Sequence, residues 1–124
     1  MTKTPPPAPL RNLEELRDRL RTFAAARDWD PFHSPKNLAM ALIVEAAELV
    51  EHFQWLTEAQ SAALPPEKTA AVADELADVL IYVVRLADQL DVDLFAAVSS
   101  KLARNEAKYP ADRVKGSARK YTEY

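Results

Sequence analysis

The chain contains one glycine, Gly116, among 124 residues, and this scarcity limits the folds open to it. Globular proteins average about 7% glycine, and both tight β-hairpins and the glycine-rich turns of doubly wound sheets depend on that residue. The nine prolines lie at the borders of long periodic stretches and never inside them. Prolines at such positions delimit helices, so the sequence predicts an all-α fold.

Apolar residues at helical spacing predict four long helices, each preceded by residues that favour a helix start. The predicted starts are Asn12, Ser34-Pro35, Pro65-Pro66 and Asp93. The four helices are expected to end near Asp28, Leu56, Leu90 and Lys108. The segment Trp29–His33 is expected to form a loop, because Pro31 disfavours helix at the residue before it. The prediction is a four-helix bundle.

Composition bounds the domain organisation and the partners. We expect a Pro-rich lead over residues 1–9, one helical domain over 10–110 and a basic tail over 111–124. A net charge of −3 offers no general electrostatic attraction for a nucleic acid polymer. The chain has no apolar run of about 18 residues, so no membrane partner is expected. The absence of cysteine excludes disulfides and thiolate metal sites and is compatible with a cytoplasmic protein.

Two pairs of acids stand out in otherwise apolar helical segments. Glu45 and Glu48 lie three residues apart in the second predicted helix, and Glu75 and Asp78 lie three apart in the third. Residues at that spacing share one face of a helix. Two antiparallel helices packed about 8–10 Å apart can therefore point both pairs at each other.

The ordinary interpretation of such acids is a solvated helix face with Lys or Arg partners, worth about 0.3–0.5 kcal/mol per pair. Here no Lys or Arg occurs between Asn37 and Glu67, so Glu45 and Glu48 lack a basic partner along their own helix. Unpaired carboxylates are costly to remove from water, and a divalent cation relieves that cost. Mg²⁺, which prefers oxygen ligands, is the expected cofactor, and Glu51 allows a second ion.

A di-iron centre is the rival metal site. Ferritin-like bundles use Glu-x-x-His on two helices. This chain has two histidines, and His52 follows Glu48 by four residues rather than three. The di-iron interpretation is therefore weak.

Aromatic and polar residues lie in segments that could border the acids. Trp29, Trp55, Tyr82 and Tyr109 are, in the simplest interpretation, core or interface residues. Beside a metal site they also suit a nucleotide, because a base stacks on an aromatic face. Asn105 can donate to and accept from a base edge or sugar, Lys101 can neutralise phosphate, and His33 is a candidate pocket residue.

Taken together, these residues resemble the all-α nucleoside triphosphate pyrophosphohydrolases of the MazG type. Their motif is ExxE, a spacer and ExxD, which Glu45/Glu48 and Glu75/Asp78 match. The dCTP pyrophosphatase branch is the most similar. The segments that carry this resemblance are Arg27-Asp28-Trp29, Phe32-His33 through Asn37-Leu38, Phe53-Gln54-Trp55, Asp78–Tyr82, Val92-Asp93-Leu94, Asn105, Tyr109-Pro110, Gly116-Ser117-Ala118 and Lys120-Tyr121-Thr122.

The resemblance implies a Mg²⁺-dependent catalytic domain that assembles as a homotetramer and splits a deoxynucleoside triphosphate into monophosphate and pyrophosphate. It implies that Glu45, Glu48, Glu75 and Asp78 bind metal. It also implies that Trp29, Asp30, Phe32, His33, Trp55 and Tyr82 line the nucleoside pocket, with Asn105 and Tyr109 close by. Lys101 is a further candidate substrate contact because of its charge. Members of the family carry a pocket histidine nine residues before the tryptophan, where this chain has Leu20, and that departure bears on the base preference.

The hypothesis from sequence is hydrolysis of dCTP, or of a 5-modified dCTP, to dCMP and pyrophosphate, with Glu45 or Glu51 as the general base. One alternative is a house-cleaning hydrolase with a broad range of deoxynucleoside triphosphates or modified nucleotides. An alternative from another class is a non-catalytic helical oligomerisation module whose acids are structural. Nucleotide and Mg²⁺ binding distinguish the last from the first two.

Overall fold

The structure is a computed structural model that describes residues 4–118 and 122. Two compact units, residues 1–91 and 92–124, divide the chain. Across the described residues the regular structure is helical, without strands. The expected Pro-rich lead and basic tail lie partly outside the described residues. The motif residues Lys120 and Tyr121 lie outside them.

The first unit contains three long helices, one short helix and a 3₁₀ segment. These elements are α1 (Leu13–Ala26), the 3₁₀ segment (Asp30–Phe32), α2 (Pro35–Glu51), α3 (Glu58–Ser61) and α4 (Pro66–Gln89). Helix α4 packs mainly against α2 and also against α1. The buried apolar side chains of this unit are Ala24, Leu38, Val72, Val84 and Ala87. The pairing of α2 with α4 brings the two acid-bearing helices together.

The predicted helix starts are confirmed at four places. Asn12, Ser34 and Asp93 each accept a backbone N–H of the first turn, from Glu15, Asn37 and Ala96, and this satisfies donors that have no partner within the helix. Helix α4 begins at Pro66, where the missing N–H costs nothing. Local chemistry therefore set these boundaries.

Helix α2 ends earlier than predicted. It stops at Glu51 rather than near Leu56, and turns follow over residues 52–56. After Glu51 the amides of Phe53 and Leu56 donate to the carbonyls three residues before them, Val50 and Phe53, so the chain tightens into turns. A capping box follows, in which the Thr57 hydroxyl accepts from the Gln60 amide and the Gln60 side chain accepts from the Thr57 amide. That reciprocal pair begins α3. Trp55 thus lies in a turn, and the prediction that the second helix extends through it to about Leu56 is wrong.

The end of α1 determines where Trp29 lies. Asp28 adopts a left-handed conformation with φ of 53°, and the amides of Asp28 and Trp29 donate to the carbonyls of Ala25 and Ala24 at 3.2 and 3.0 Å. This is a Schellman ending. The chain then forms a 3₁₀ turn rather than the irregular loop that was expected, since Pro31 is compatible with a first helical turn.

The second unit contains α5 (Leu94–Lys108) and the short α6 (Ala111–Val114). Helix α5 matches the fourth predicted helix, and Pro110 ends the segment as expected. Within the described residues, no helix combines the length and the apolar character that a membrane crossing requires.

Candidate functional site

Three carboxylates from α2 and α4 converge. Glu45 and Glu48 lie on successive turns of α2, and Glu75 faces them from α4; one carboxylate oxygen of each lies within 4.8 Å of the others. We call these three residues the acid group. Glu45 and Glu75 are half-buried, so the group is a cluster of like charges partly removed from water.

Two oxygens of the acid group have no partner. The Oε2 atoms of Glu45 and Glu75 are shielded from solvent and make no hydrogen bond. Buried polar atoms without partners are rare in folded proteins and call for an explanation such as a bound ion. Because carboxylate oxygens are hard ligands, they fit a divalent cation such as Mg²⁺, Mn²⁺ or Ca²⁺.

The pKa values of the acid group are also shifted by burial and by the neighbouring carboxylates. Burial, and next the neighbouring Glu48, raises the pKa of Glu45. Burial, and next the charge of Glu48, raises the pKa of Glu75. Both shifts mean that the folded chain disfavours the ionised carboxylates when nothing neutralises them. A cation among them reverses that preference.

Asp78 and Tyr82 lie near the acid group. Asp78 is outside the group of three, yet its charge contributes to the raised pKa values of Glu45 and Glu75. Burial, and next Glu45, raises the pKa of the Tyr82 hydroxyl. Tyr82 lies one turn beyond Asp78 on α4, which agrees with this electrostatic contact.

His52 is a neighbour of the acids that the sequence analysis used only to argue against iron. Its Nε2 lies 3.8 Å from Glu75 Oε1. The sequence spacing could have predicted this position, because His52 falls on the same helical strip as Glu45 and Glu48. The imidazole gives Glu75 one polar neighbour, while Glu75 Oε2 keeps none.

The segment that follows α1 carries four of the predicted substrate contacts. The Trp29 ring stacks edge-on against Phe23 with centroids 5.6 Å apart, and the His33 ring lies 6.1 Å from it. Asn37 donates to the Phe32 carbonyl at 3.1 Å. The Phe32 side chain is largely exposed, like that of Trp55, which is 86% exposed. Exposed aromatic surface of this kind is available to a ligand.

A buried arginine holds this segment to α4. The Arg85 side chain is only 6% exposed, and it donates to Asp30 Oδ1 at 2.5 Å and to His33 Nδ1 at 3.1 Å. It also lies 3.6 Å from Asp88, which Arg21 of α1 binds through two hydrogen bonds. We call these five residues the arginine network. Arg85 was not among the predicted site residues, although a single arginine between apolar residues of α4 indicates a buried partner.

The remaining predicted residues are Glu51 and three residues of the second unit. Glu51 is the exposed last residue of α2. Lys101, Asn105 and Tyr109 belong to the second unit, and their part in a site stays a prediction. Asn105 is half-buried, while Lys101 and Tyr109 are exposed.

Comparison with known proteins supplies an independent finding. A sequence model of the MazG-like family matches residues 40–124. The chain is 48% identical over 118 residues to dCTP pyrophosphatase 1 of Mus musculus and 47% identical to that of Homo sapiens; each match covers 94% of this chain and 69% of the relative. A crystal structure of a pyrophosphatase from Archaeoglobus fulgidus superposes with a TM-score of 0.76 at 38% identity, covering 86% of this chain and 99% of that one.

Proposed function

The chain belongs to the MazG-like family, and on that premise we propose that it is a nucleoside triphosphate pyrophosphohydrolase that splits dCTP into dCMP and pyrophosphate. Relatives that share 45–48% of its residues over most of its length are dCTP pyrophosphatases. The observation on the chain itself that carries the proposal is the acid group, whose two shielded and unpaired oxygens call for a cation. A triphosphate is the substrate that such a cation suits.

Mg²⁺ is the proposed cation, held by Glu45, Glu48 and Glu75, with Asp78 as a fourth ligand. When bound, the ion binds phosphate oxygens and lowers the pKa of a water. The carboxylates of α2 and α4 also orient the triphosphate. One carboxylate accepts the proton of the attacking water; Glu45 and the exposed Glu51 are the two candidates. Glu45→Gln and Glu51→Gln distinguish them at saturating Mg²⁺, because the variant that lacks the base should lose the acid limb of the pH–rate profile.

The nucleoside is proposed to contact the aromatic residues near the two acid-bearing helices. Stacking of a base on an aromatic face is worth about 1–3 kcal/mol, and the exposed rings of Trp29, Phe32 and Trp55 offer such faces. Tyr82, beside the acid group, is proposed to contact the nucleoside together with Asp30 and His33. Asn105 and Tyr109 are assigned to the substrate from the family resemblance, and Lys101 is assigned from its charge, which suits a phosphate.

We further propose that the chain is a cytoplasmic homotetramer whose subunit is a four-helix bundle over residues 10–110. Several large apolar side chains of α2 and α4 are exposed in the single chain, among them Met40, Ile43, Val44 and Leu76. A contiguous apolar surface usually marks a protein interface. Size-exclusion chromatography with light scattering measures the assembly, and a monomeric mass at working concentration would contradict this part of the proposal.

Product identity tests the function. Purified protein is incubated with dCTP and Mg²⁺, and the products are separated by ion-exchange chromatography; dCMP and pyrophosphate are expected in equal amounts. A phosphate assay with and without added inorganic pyrophosphatase provides the control, because orthophosphate should arise only when that enzyme is present. Direct release of orthophosphate, or no turnover of any deoxynucleoside triphosphate, overturns the proposal.

A broader substrate range is the second candidate, and Leu20 favours it. This apolar residue of α1 stands where the family resemblance expects a polar pocket histidine. A site with fewer polar contacts to the base discriminates less between bases. A panel of the four deoxynucleoside triphosphates and 5-methyl-dCTP distinguishes the candidates: a preference for dCTP of less than about tenfold supports the broad enzyme.

A further inference from the structure

Arg85 is the one charged side chain that is buried among the described residues. A buried cation is stable only when partners surround it, and Arg85 has three, Asp30, His33 and Asp88. Two of them belong to the segment after α1 that carries Trp29. The partners of Arg85 are therefore distributed so that one side chain of α4 fixes a segment proposed to contact the substrate.

The bond to His33 determines the state of the imidazole. Arg85 Nε–H donates to His33 Nδ1 at 3.1 Å. A guanidinium has donors only and stays protonated in proteins, so Nδ1 must be the unprotonated, accepting nitrogen. The proton of the neutral ring then lies on Nε2. Burial, and next the charge of Arg85, also lowers the pKa of His33, which agrees with a neutral ring.

The position of Arg85 on α4 relates it to the acid group. Arg85 follows Asp78 by seven residues, which is two helical turns, so both lie on one face of the helix. The separation along the axis is about 10 Å. A nucleotide whose phosphates are at the acids can thus extend its base toward the segment that Arg85 holds.

We propose that Arg85 is a positioning residue for base recognition: it fixes His33 as a neutral imidazole with its proton on Nε2, so that Nε2–H donates to a carbonyl or ring nitrogen of the nucleobase. This inference rests on the proposed function and deepens it. A neutral donor suits an uncharged acceptor on a base, whereas a protonated imidazole favours phosphate. The bond between Arg85 and Asp30 holds the same 3₁₀ segment in register.

A purely structural role for Arg85 is the competing explanation. Removal of one partner from a buried ion pair destabilises a protein whatever its function, so a lowered melting temperature does not distinguish the two. NMR of the histidine ring nitrogens distinguishes the two roles, because it reports which ring nitrogen carries the proton. The chain has two histidines, and His33→Gln identifies the His33 signals by their loss.

The experiment compares the full-length wild type with Arg85→Met and with the control Arg21→Met. Arg21 binds Asp88 from the far side of the network and does not contact His33. We expect the Nε2–H tautomer in the wild type and in Arg21→Met, and a mixture of tautomers in Arg85→Met. The KM for dCTP should rise about tenfold in Arg85→Met, the loss of roughly one hydrogen bond, with kcat changed less than about twofold.

Arg85→Lys provides a second variant if Arg85→Met folds poorly. Lysine keeps the charge but cannot offer the two separate donors that reach Asp30 and His33. It should restore the melting temperature more than the KM. Protonated Nδ1 in the wild type, an unchanged tautomer in Arg85→Met, or a melting temperature that falls while KM stays constant each overturns the proposal.

The two proposals fail in distinguishable ways. If the wild type turns over no nucleotide, the proposed function and base recognition by His33 are both overturned, while the tautomer measurement still decides whether Arg85 controls His33. If dCTP is hydrolysed but KM is indifferent to Arg85, only the positioning role is overturned.

Discussion

Helix α4 takes part in two groups of charged side chains that are built in opposite ways. In the acid group, Glu75 meets Glu45 and Glu48 of α2, and two shielded oxygens have no partner. In the arginine network, every charge meets an opposite charge or an imidazole. A protein that can pair Arg85 so fully has no structural need to leave two buried carboxylate oxygens without a partner. The difference indicates that the missing partner of the acid group comes from outside the chain.

Replacement of one acid has the largest expected effect. Glu48→Gln should lower kcat/KM by more than about a hundredfold, because even the residues that merely support metal ligands contribute about 10–100-fold. Steady-state kinetics with dCTP and Mg²⁺ measure this. Asp74→Asn is the matched control, since Asp74 is exposed and precedes Glu75 on α4. An active Glu48→Gln variant would show that the acid group is not the metal site.

Trp55 tests whether the acid group belongs to a nucleotide site. Trp55→Ala should raise the KM for dCTP about tenfold, within the range of about 1–3 kcal/mol for a stacked base. Its side chain is 86% exposed, so the melting temperature should not change. Leu90→Ala, a large and exposed apolar residue at the end of α4, is the control. An unchanged KM for Trp55→Ala would remove this residue from the site.

The two groups should respond to neutralisation with opposite changes in stability. Without metal, Glu75→Gln should raise the melting temperature, because it removes a repelled and partly desolvated charge. Arg85→Met should lower it by about 5–10 °C, since charged hydrogen bonds contribute about 1.5–3 kcal/mol. Differential scanning calorimetry measures both.

Added Mg²⁺ provides the control for this pair of variants. It should raise the melting temperature of the wild type and of Arg85→Met by several degrees, about the effect of a ligand at 100 times its dissociation constant. It should have little effect on Glu75→Gln. Destabilisation by both substitutions would mean that Glu75 has a stabilising partner within the protein.

The contrast between the groups also explains what could be predicted. Helix starts depend on neighbouring residues, and the capping residues Asn12, Ser34 and Asp93 predicted three of them. The family was also recognisable from sequence, because ExxE and ExxD bring carboxylates to one helix face, and the comparisons confirm it. The Thr57–Gln60 capping box that begins α3 was equally local but was overlooked, and the end of α2 was placed too late.

The arginine network could not be predicted in the same way. Arg85 meets Asp30 and His33 across more than fifty positions of sequence. No spacing rule relates such residues, because their contact arises from how α4 packs against the segment after α1. A lone arginine in an apolar helix indicates a buried partner, yet it does not indicate which of the chain's many acids supplies it.

The smallest predicted effects concern pH, where the two groups should act with opposite sign. The folded chain raises the pKa of Glu45 and Glu75 above the ordinary value of 4.5, so it binds more protons than the unfolded chain, and metal-free stability should fall as pH rises from that value.

His33 has a pKa below its ordinary 6.5. Here the unfolded chain binds more protons, so stability should rise with pH up to about that value. Melting curves from pH 4 to 8 for the wild type, Glu75→Gln and His33→Gln measure each slope by its loss. If His33→Gln leaves the slope of stability against pH unchanged below pH 6.5, the imidazole is not held neutral. The contrast between the paired arginine network and the unpaired acid group then does not hold for His33.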